Sequence, residues 1–115
     1  MKRYHGERRS DGRCVVIVID RTRGGVPEIP LRELRPRFDL RNHSPDGFNW
    51  GYGGSGPSQL ALALLADALD SDKVALELYQ QFKWAVVCRL AATWTLTTDE
   101  IIAAVDALRQ TKEAR

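Results

Sequence analysis

The chain has 115 residues and a formal net charge of +2, with 43% hydrophobic and 28% charged residues. This length suits one domain with a single core, and no apolar run approaches the roughly 20 residues that a membrane-spanning helix needs. The basic start has no apolar segment behind it and is not expected to act as a signal peptide, so we predict a cytosolic protein without a membrane segment.

The charges are distributed unevenly along the chain. Residues 1–41 have a net charge of +5, and residues 42–115 have a net charge of −3. Ten of the eleven cations in the first segment are arginines, which suit bidentate contact with phosphate or carboxylate groups. Because the total charge is weak, a solvated surface is the favoured interpretation and a nucleic-acid surface is the alternative.

The cysteines and histidines do not indicate a metal site. Cys14 and Cys88 are isolated within apolar patterns, and with His5 and His43 they lack the spacing of zinc ligands. We predict no metal and no cofactor.

The N-terminal part of the chain is predicted to form strands. Lys2–His5 is a short strand ended by Gly6, and a polar turn leads to Cys14–Asp20, the clearest strand in the sequence. The apolar residues of Cys14–Asp20 are continuous, which predicts a central strand covered on both faces. Residues 21–30 contain Gly and Pro pairs that predict a loop.

The next segment gives mixed signals. Residues 31–41 fit either a helical turn stopped by Pro36 or a half-buried strand near the end of the segment. Ser44–Gly47 predicts a type I turn. Phe48–Trp50 is predicted to be a short strand that pairs back on residues 38–41.

Three helices are predicted in the remainder. The first begins near Pro57 and is apolar on almost every side, which predicts a buried central helix whose single charge, Asp67, needs a partner from the Arg-rich half. The second runs from Lys73 to about Ala91. An extended linker at residues 94–96 leads to a third helix, which begins with a capping box at Thr97.

The predicted fold is therefore α+β, with a small, mostly antiparallel sheet packed against three C-terminal helices. Residues 1–115 form one domain, with a strand-rich part at 1–52 and a helical part at 57–112.

The segment Gly51–Gly56 formally matches the glycine pattern of dinucleotide-binding loops. Such a site needs a strand after its helix, but another helix follows here, and Pro57-Ser58 replaces the Lys-Ser/Thr of a phosphate-binding P-loop. Two interpretations remain: a backbone nest for an anion, and a tight, aromatic-packed entry into the helix, which is favoured.

Candidate functional side chains surround this loop. His43, Ser44 and Asp46 lie too close together in sequence to converge as a hydrolase triad, which favours a non-catalytic protein over an enzyme that uses His43 alone as an acid or base. One ring of Trp50 and Tyr52 is expected to face inward and the other outward, where it would form a polar-aromatic patch suited to a protein, base or sugar. Trp84 lies off the core stripe of the second helix and is either covered by the N-terminal segment or part of an oligomer contact. The predicted binding residues are His43, Asp46, Asn49, Trp50, Tyr52, Ser55, Gln59, Arg37 and Arg41.

The block HSPDGFNWGYGGSGPSQLALALLADAL, followed by LYQQFKW and WTLTTDEI, resembles a family of small uncharacterised proteins from bacteria, archaea, phages and plasmids, known as a domain of unknown function. The resemblance implies a compact single domain with this block as its signature. It implies no activity, cofactor or catalytic residue. Its occurrence on mobile elements makes counter-defence or inhibition of a host protein a plausible context.

We therefore expect a non-catalytic binding protein that modulates or inhibits a host protein or ribonucleoprotein complex. The alternatives are a small phosphate- or nucleotide-binding enzyme that uses the loop Gly51–Gly56 with His43, and a nucleic-acid-binding protein that uses the Arg-rich half. The identity of the partner and the oligomeric state stay open.

Overall fold

The computed structural model describes residues 2–20 and 29–113. Within those residues the chain forms four strands, three α-helices and one short 3₁₀ helix. In chain order they are β1 (Lys2–Arg8), β2 (Cys14–Asp20), β3 (Ile29–Glu33), α1 (Ser55–Leu69), α2 (Asp72–Ala85), the 3₁₀ helix (Val87–Arg89), β4 (Thr93–Thr97) and α3 (Thr98–Glu113). The predicted α+β class is confirmed.

The strands form one antiparallel sheet with the order β3-β2-β1-β4. Residues 93–97 pair with β1 and form an edge of the sheet, although residues 94–96 were predicted to be an extended linker. Strand β3 begins inside the predicted loop, and its proline is tolerated because β3 lies at the other edge. No parallel pair occurs in the described sheet, so the strand arrangement of a dinucleotide-binding unit is missing there.

Within the described part of the chain, the helices cover only one face of strand β2, so the prediction that both faces are covered was wrong for these residues. Val16 and Val18 are buried, whereas their neighbours Val15, Ile17 and Ile19 are half-buried. The helices pack on the face that contains Val16 and Val18. An antiparallel sheet can leave its other face to solvent, even when that face contains β-branched residues.

Helix α1 is the centre of the core, as predicted. Residues 56–66 are all buried, and the helix contacts α2, α3 and the 3₁₀ helix. Asp67 lies near its C-terminal end and accepts hydrogen bonds from Tyr4 of β1 and Arg32 of β3. The Arg-rich half thus supplies the predicted partner of this carboxylate. No helix among the described residues has both the length and the apolar character needed to cross a bilayer.

Two further local predictions have different outcomes. The turn at Ser44–Gly47 is confirmed by a backbone hydrogen bond from Gly47 N to Ser44 O of 3.0 Å. Phe48–Trp50 does not form a strand, and residues 34–54 contain no helix or strand.

The end of α2 differs from the prediction, and the start of α3 agrees with it. Helix α2 ends at Ala85, before the predicted end, where the 3₁₀ helix takes over. The capping box before α3 is confirmed, because Thr97 and Glu100 exchange backbone-to-side-chain hydrogen bonds of 3.0 and 3.1 Å.

Candidate functional site

Two large aromatic side chains are exposed beside the glycine-rich loop: Tyr52 is 49% exposed and Trp84 is 57% exposed. A Cβ atom added at Gly53 would lie 2.3 Å from the indole of Trp84, and one added at Gly54 would lie 2.8 Å from the ring of Tyr52. These glycines are therefore needed because the two rings approach the backbone closely. We call Tyr52, Gly53, Gly54 and Trp84 the aromatic lip.

The aromatic lip is attached to the core by the residues just before it. The amide of Gly51 donates a hydrogen bond to the carbonyl of Val87, in the 3₁₀ helix that follows α2. Trp50 points inward and is fully buried, with its ring edge-to-face against Trp94 at 5.5 Å. The predicted alternation, one ring inward and one outward, is confirmed for Trp50 and Tyr52.

Two cations lie next to the aromatic lip. The ammonium of Lys83 lies 4.5 Å from the centroid of the Trp84 ring, a distance typical of a cation–π contact. Arg8 donates hydrogen bonds to Asn49 Oδ1 and to the carbonyl of Trp50, at 2.8 and 2.7 Å. Among the residues that the structure describes, neither cation forms an ion pair.

A cleft of about 750 Å³ and a second of about 640 Å³ mark the described surface, and only the second lies beside the aromatic lip. The smaller cleft is bounded by the turn between β1 and β2, by the segment around the Ser44–Gly47 turn and by the start of α1. It contains four of the nine predicted binding residues: Asp46, Asn49, Tyr52 and Ser55.

Helix α1 begins in this smaller cleft with no capping side chain and no acidic residue in its first turn. This would favour an anion. However, the carboxylates in the cleft outnumber the guanidinium groups and oppose an anionic ligand. The charged residues are Asp11, Glu33 and Asp46 against Arg9 and Arg13.

Two predicted binding residues, Trp50 and Gln59, have no exposed surface, so their placement on an outward patch was wrong. Trp50 belongs to the core, as described above. The amide of Gln59 donates to the carbonyls of Pro36 and Arg41 and accepts from the amides of His43 and Ser44. Gln59 is therefore a structural residue that binds its own chain.

His43 is half-buried. Its Nε2 atom lies 2.8 Å from the hydroxyl of Tyr79. This places the imidazole against helix α2 and outside both clefts.

The two predicted arginines lie away from the aromatic lip. Arg37 lines the larger cleft, where hydrogen bonds from its guanidinium to Asp39 and Asp72 raise the pKa of Arg37 above its ordinary value. Arg41 is exposed and donates to the carbonyl of Leu40. The structure does not bring either side chain to the cleft that contains Tyr52.

Sequence reasoning did not assign Lys83 or Arg8 to the site, and it placed Trp84 elsewhere. Trp84 packs against Gly53 and is not covered by the N-terminal strand. The available signal was the position of Trp84 off the core stripe of its helix. Its contact with a loop far away in sequence leaves no local pattern.

The family model for the family of unknown function DUF6166 matches residues 4–107. The chain belongs to this family. The predicted resemblance to a family of unknown function is thereby confirmed at that level, while the distribution over phages and plasmids stays a prediction. No curated protein and no solved structure is significantly similar to the chain.

Proposed function

We propose that this protein is a non-catalytic binding module that engages a protein partner through the aromatic lip. The observation that carries the proposal is that Tyr52 and Trp84 are both exposed and both held against the Gly53-Gly54 backbone. Trp and Tyr are the residue types that contribute most at protein interfaces. Side chains that are already ordered lose little conformational freedom when a partner binds.

The charge distribution supports this proposal over direct nucleic-acid binding by the Arg-rich half. Several arginines of that half are neutralised within the chain: Arg13 by Asp11, Arg32 by Asp67 and Arg37 by Asp39 and Asp72. These three of the ten arginines of that half are thus paired with carboxylates inside the chain, which leaves less charge to attract phosphates. The carboxylates in the cleft beside Tyr52 likewise oppose a nucleotide ligand.

The proposal also includes inhibition of a host component and a cytosolic location. Inhibition of a host protein or ribonucleoprotein complex follows only from the family resemblance. A cytosolic location is supported by Cys14 and Cys88, which are both free thiols.

The proposal is tested by affinity purification from the native host with tagged protein and mass spectrometry. Tyr52→Ala and Trp84→Ala are compared with the wild type and with Ile102→Ala, a control that truncates another exposed side chain on α3. Specific proteins should be recovered with the wild type and the control, and lost with both lip variants. For a purified partner, each lip variant should weaken binding by roughly thirty-fold or more.

Thermal unfolding of the same variants separates binding from packing. We expect both lip variants to retain a cooperative transition near that of the wild type. If both variants unfold, or if both recover the same proteins as the wild type, the proposal is wrong. A rise in melting temperature with phosphate-bearing ligands would favour the nucleotide-binding alternative.

A further inference from the structure

Lys83 is buried, and no counter-ion for it lies within residues 2–20 and 29–113. Its side chain is in helix α2, the residue is 8% exposed, and among the described residues it forms no hydrogen bond or ion pair. Its ammonium forms the cation–π contact with Trp84. Lysine is almost never buried unless it is paired, because removing an ammonium from water is costly.

The ammonium of Lys83 is not completely enclosed. Among the described residues, the buried polar side-chain atoms without a partner are Trp50 Nε1 and Trp94 Nε1, and Lys83 Nζ is not one of them. The side chain of Lys83 is thus mostly covered, and its ammonium keeps a limited exposed area beside the Trp84 indole. Its position in the last turn of α2 makes a cation tolerable there, but it does not supply a counter-ion.

Arg8 adds a second positive charge near the start of the loop. A Cβ atom at Gly51 would lie 3.9 Å from the Arg8 guanidinium, just as one at Gly53 would touch the Trp84 ring. Residues 51–53 of the loop thus lie near Arg8 at one end and near Trp84 with its Lys83 ammonium at the other, and neither cation pairs with a carboxylate among the described residues. A binding partner of complementary charge would carry carboxylates or phosphates to this surface.

The rings of the aromatic lip favour carboxylates on a protein over a nucleic acid. Base stacking needs a free aromatic face. Here the Lys83 ammonium lies over the Trp84 indole, which also lies against Gly53, and the Tyr52 ring lies against Gly54, so each ring has part of its surface in contact with the chain itself. Such rings offer edges and apolar rims to a peptide, with a cation directly beside them.

We infer that the aromatic lip binds a segment of a protein partner that contains Asp or Glu, and that a carboxylate of this segment pairs with Lys83 Nζ. The inference rests on the proposed function, since it names the chemistry of the partner for the same surface. Peptides from such a segment should bind through one apolar contact with Tyr52 and Trp84 and one charge-assisted hydrogen bond to Lys83.

The probe is a random twelve-residue peptide library selected on the immobilised wild-type protein, followed by affinity measurements on synthetic peptides. We expect the enriched peptides to contain Asp or Glu. Lys83→Gln should weaken them roughly ten- to a hundred-fold, as should replacement of the peptide acid by its amide. Lys83→Arg should keep most of the affinity. Lys73→Gln, at an exposed position near the start of the same helix, should leave it unchanged, and thermal unfolding should show that every variant is folded.

The outcomes separate this inference from the proposed function. Enriched peptides that need Tyr52 and Trp84 but lack acids, or that bind Lys83→Gln as well as the wild type, would overturn the inference alone. If none of the enriched peptides depends on Tyr52 and Trp84, both the inference and the proposed function are wrong. A single-stranded oligothymidylate could instead bind more tightly than the peptides, depend on Lys83 and lose affinity steeply with salt. This result would overturn the inference and identify the partner as a nucleic acid.

Discussion

The carboxylate of Asp67 is the single charge of the otherwise apolar helix α1, and its side chain is 15% exposed. Burial acts to raise the pKa of Asp67, but hydrogen bonds from Tyr4 and Arg32 and the charge of Lys2 outweigh burial and hold the pKa below its ordinary value. Burial and the hydrogen bond to Asp67 in turn raise the pKa of the Tyr4 hydroxyl above its usual range. This small network connects the sheet to the central helix.

Asp67→Asn should destabilise the protein in a pH-dependent manner. Because the folded-state pKa is lowered, the ionised carboxylate stabilises the fold above the unfolded-state pKa of about 3.9. This contribution is lost as the pH falls through the folded-state value. At pH 7 the variant should lose about 2 to 3 kcal/mol of unfolding free energy, since the Arg32 guanidinium loses its counter-charge.

Urea unfolding at pH 7 and at pH 3 provides the measurement for Asp67→Asn. The difference from the wild type should be large at pH 7 and should shrink in acid. Asp106→Asn, which changes an exposed carboxylate on α3, should show little difference at either pH. If the difference in unfolding free energy between the wild type and Asp67→Asn stays constant with pH, the role assigned to the Asp67 charge is wrong.

At the scale of elements, the segment of residues 34–54 has no helix or strand and is held by side chains instead. Gln59 of α1 is the main anchor. Its amide is fully buried and forms four hydrogen bonds to the backbone of this segment, at 2.6 to 3.3 Å. This anchor fixes the approach to the aromatic lip.

Gln59→Met keeps the length and apolar stem of the side chain but removes all four hydrogen bonds. Each buried backbone group left unpaired costs about 1 to 3 kcal/mol, so we expect a loss of at least roughly 2 kcal/mol in chemical denaturation. Gln81→Met, at an exposed position on α2, is the matched control and should change stability by less than about 0.5 kcal/mol. Equal stability of the two variants would show that Gln59 does not anchor the segment.

The elements that could be predicted from sequence are those that depend on local patterns. The apolar stripes gave the helices, and the Thr97–Glu100 capping box gave the start of α3. Strand β4 and the irregular Phe48–Trp50 segment were predicted wrongly, because their structure depends on which distant backbone or side chain satisfies their polar groups. The sequence predicted that one ring of Trp50 and Tyr52 would face outward but not which one, and the Trp84–Gly53 contact joins two distant segments and had no sequence signal.

At the scale of the whole molecule, the protein has a sheet layer and a helical layer with α1 at its centre. The inner face of the sheet contributes Tyr4, Val16 and Val18 to the core. No described element covers the outer face, where Ile17 of β2 lies opposite His5 of β1 and Glu33 of β3. Neighbouring residues of one strand thus face two different environments.

Replacing Val18 and Ile17 separately by Thr tests this two-layer arrangement. Thr keeps the β-branched shape that suits a strand, so the difference between the two sites reports mainly on burial. Val18 is 0% exposed, and a buried hydroxyl without a partner should cost about 1 to 3 kcal/mol. Ile17 is half-buried, and Ile17→Thr should lower the free energy of unfolding by less than about 1 kcal/mol. Chemical denaturation of both variants measures this difference. Equal losses would mean that the outer face is covered in solution, and sedimentation analysis of the wild type would then show whether a second copy of the chain covers it.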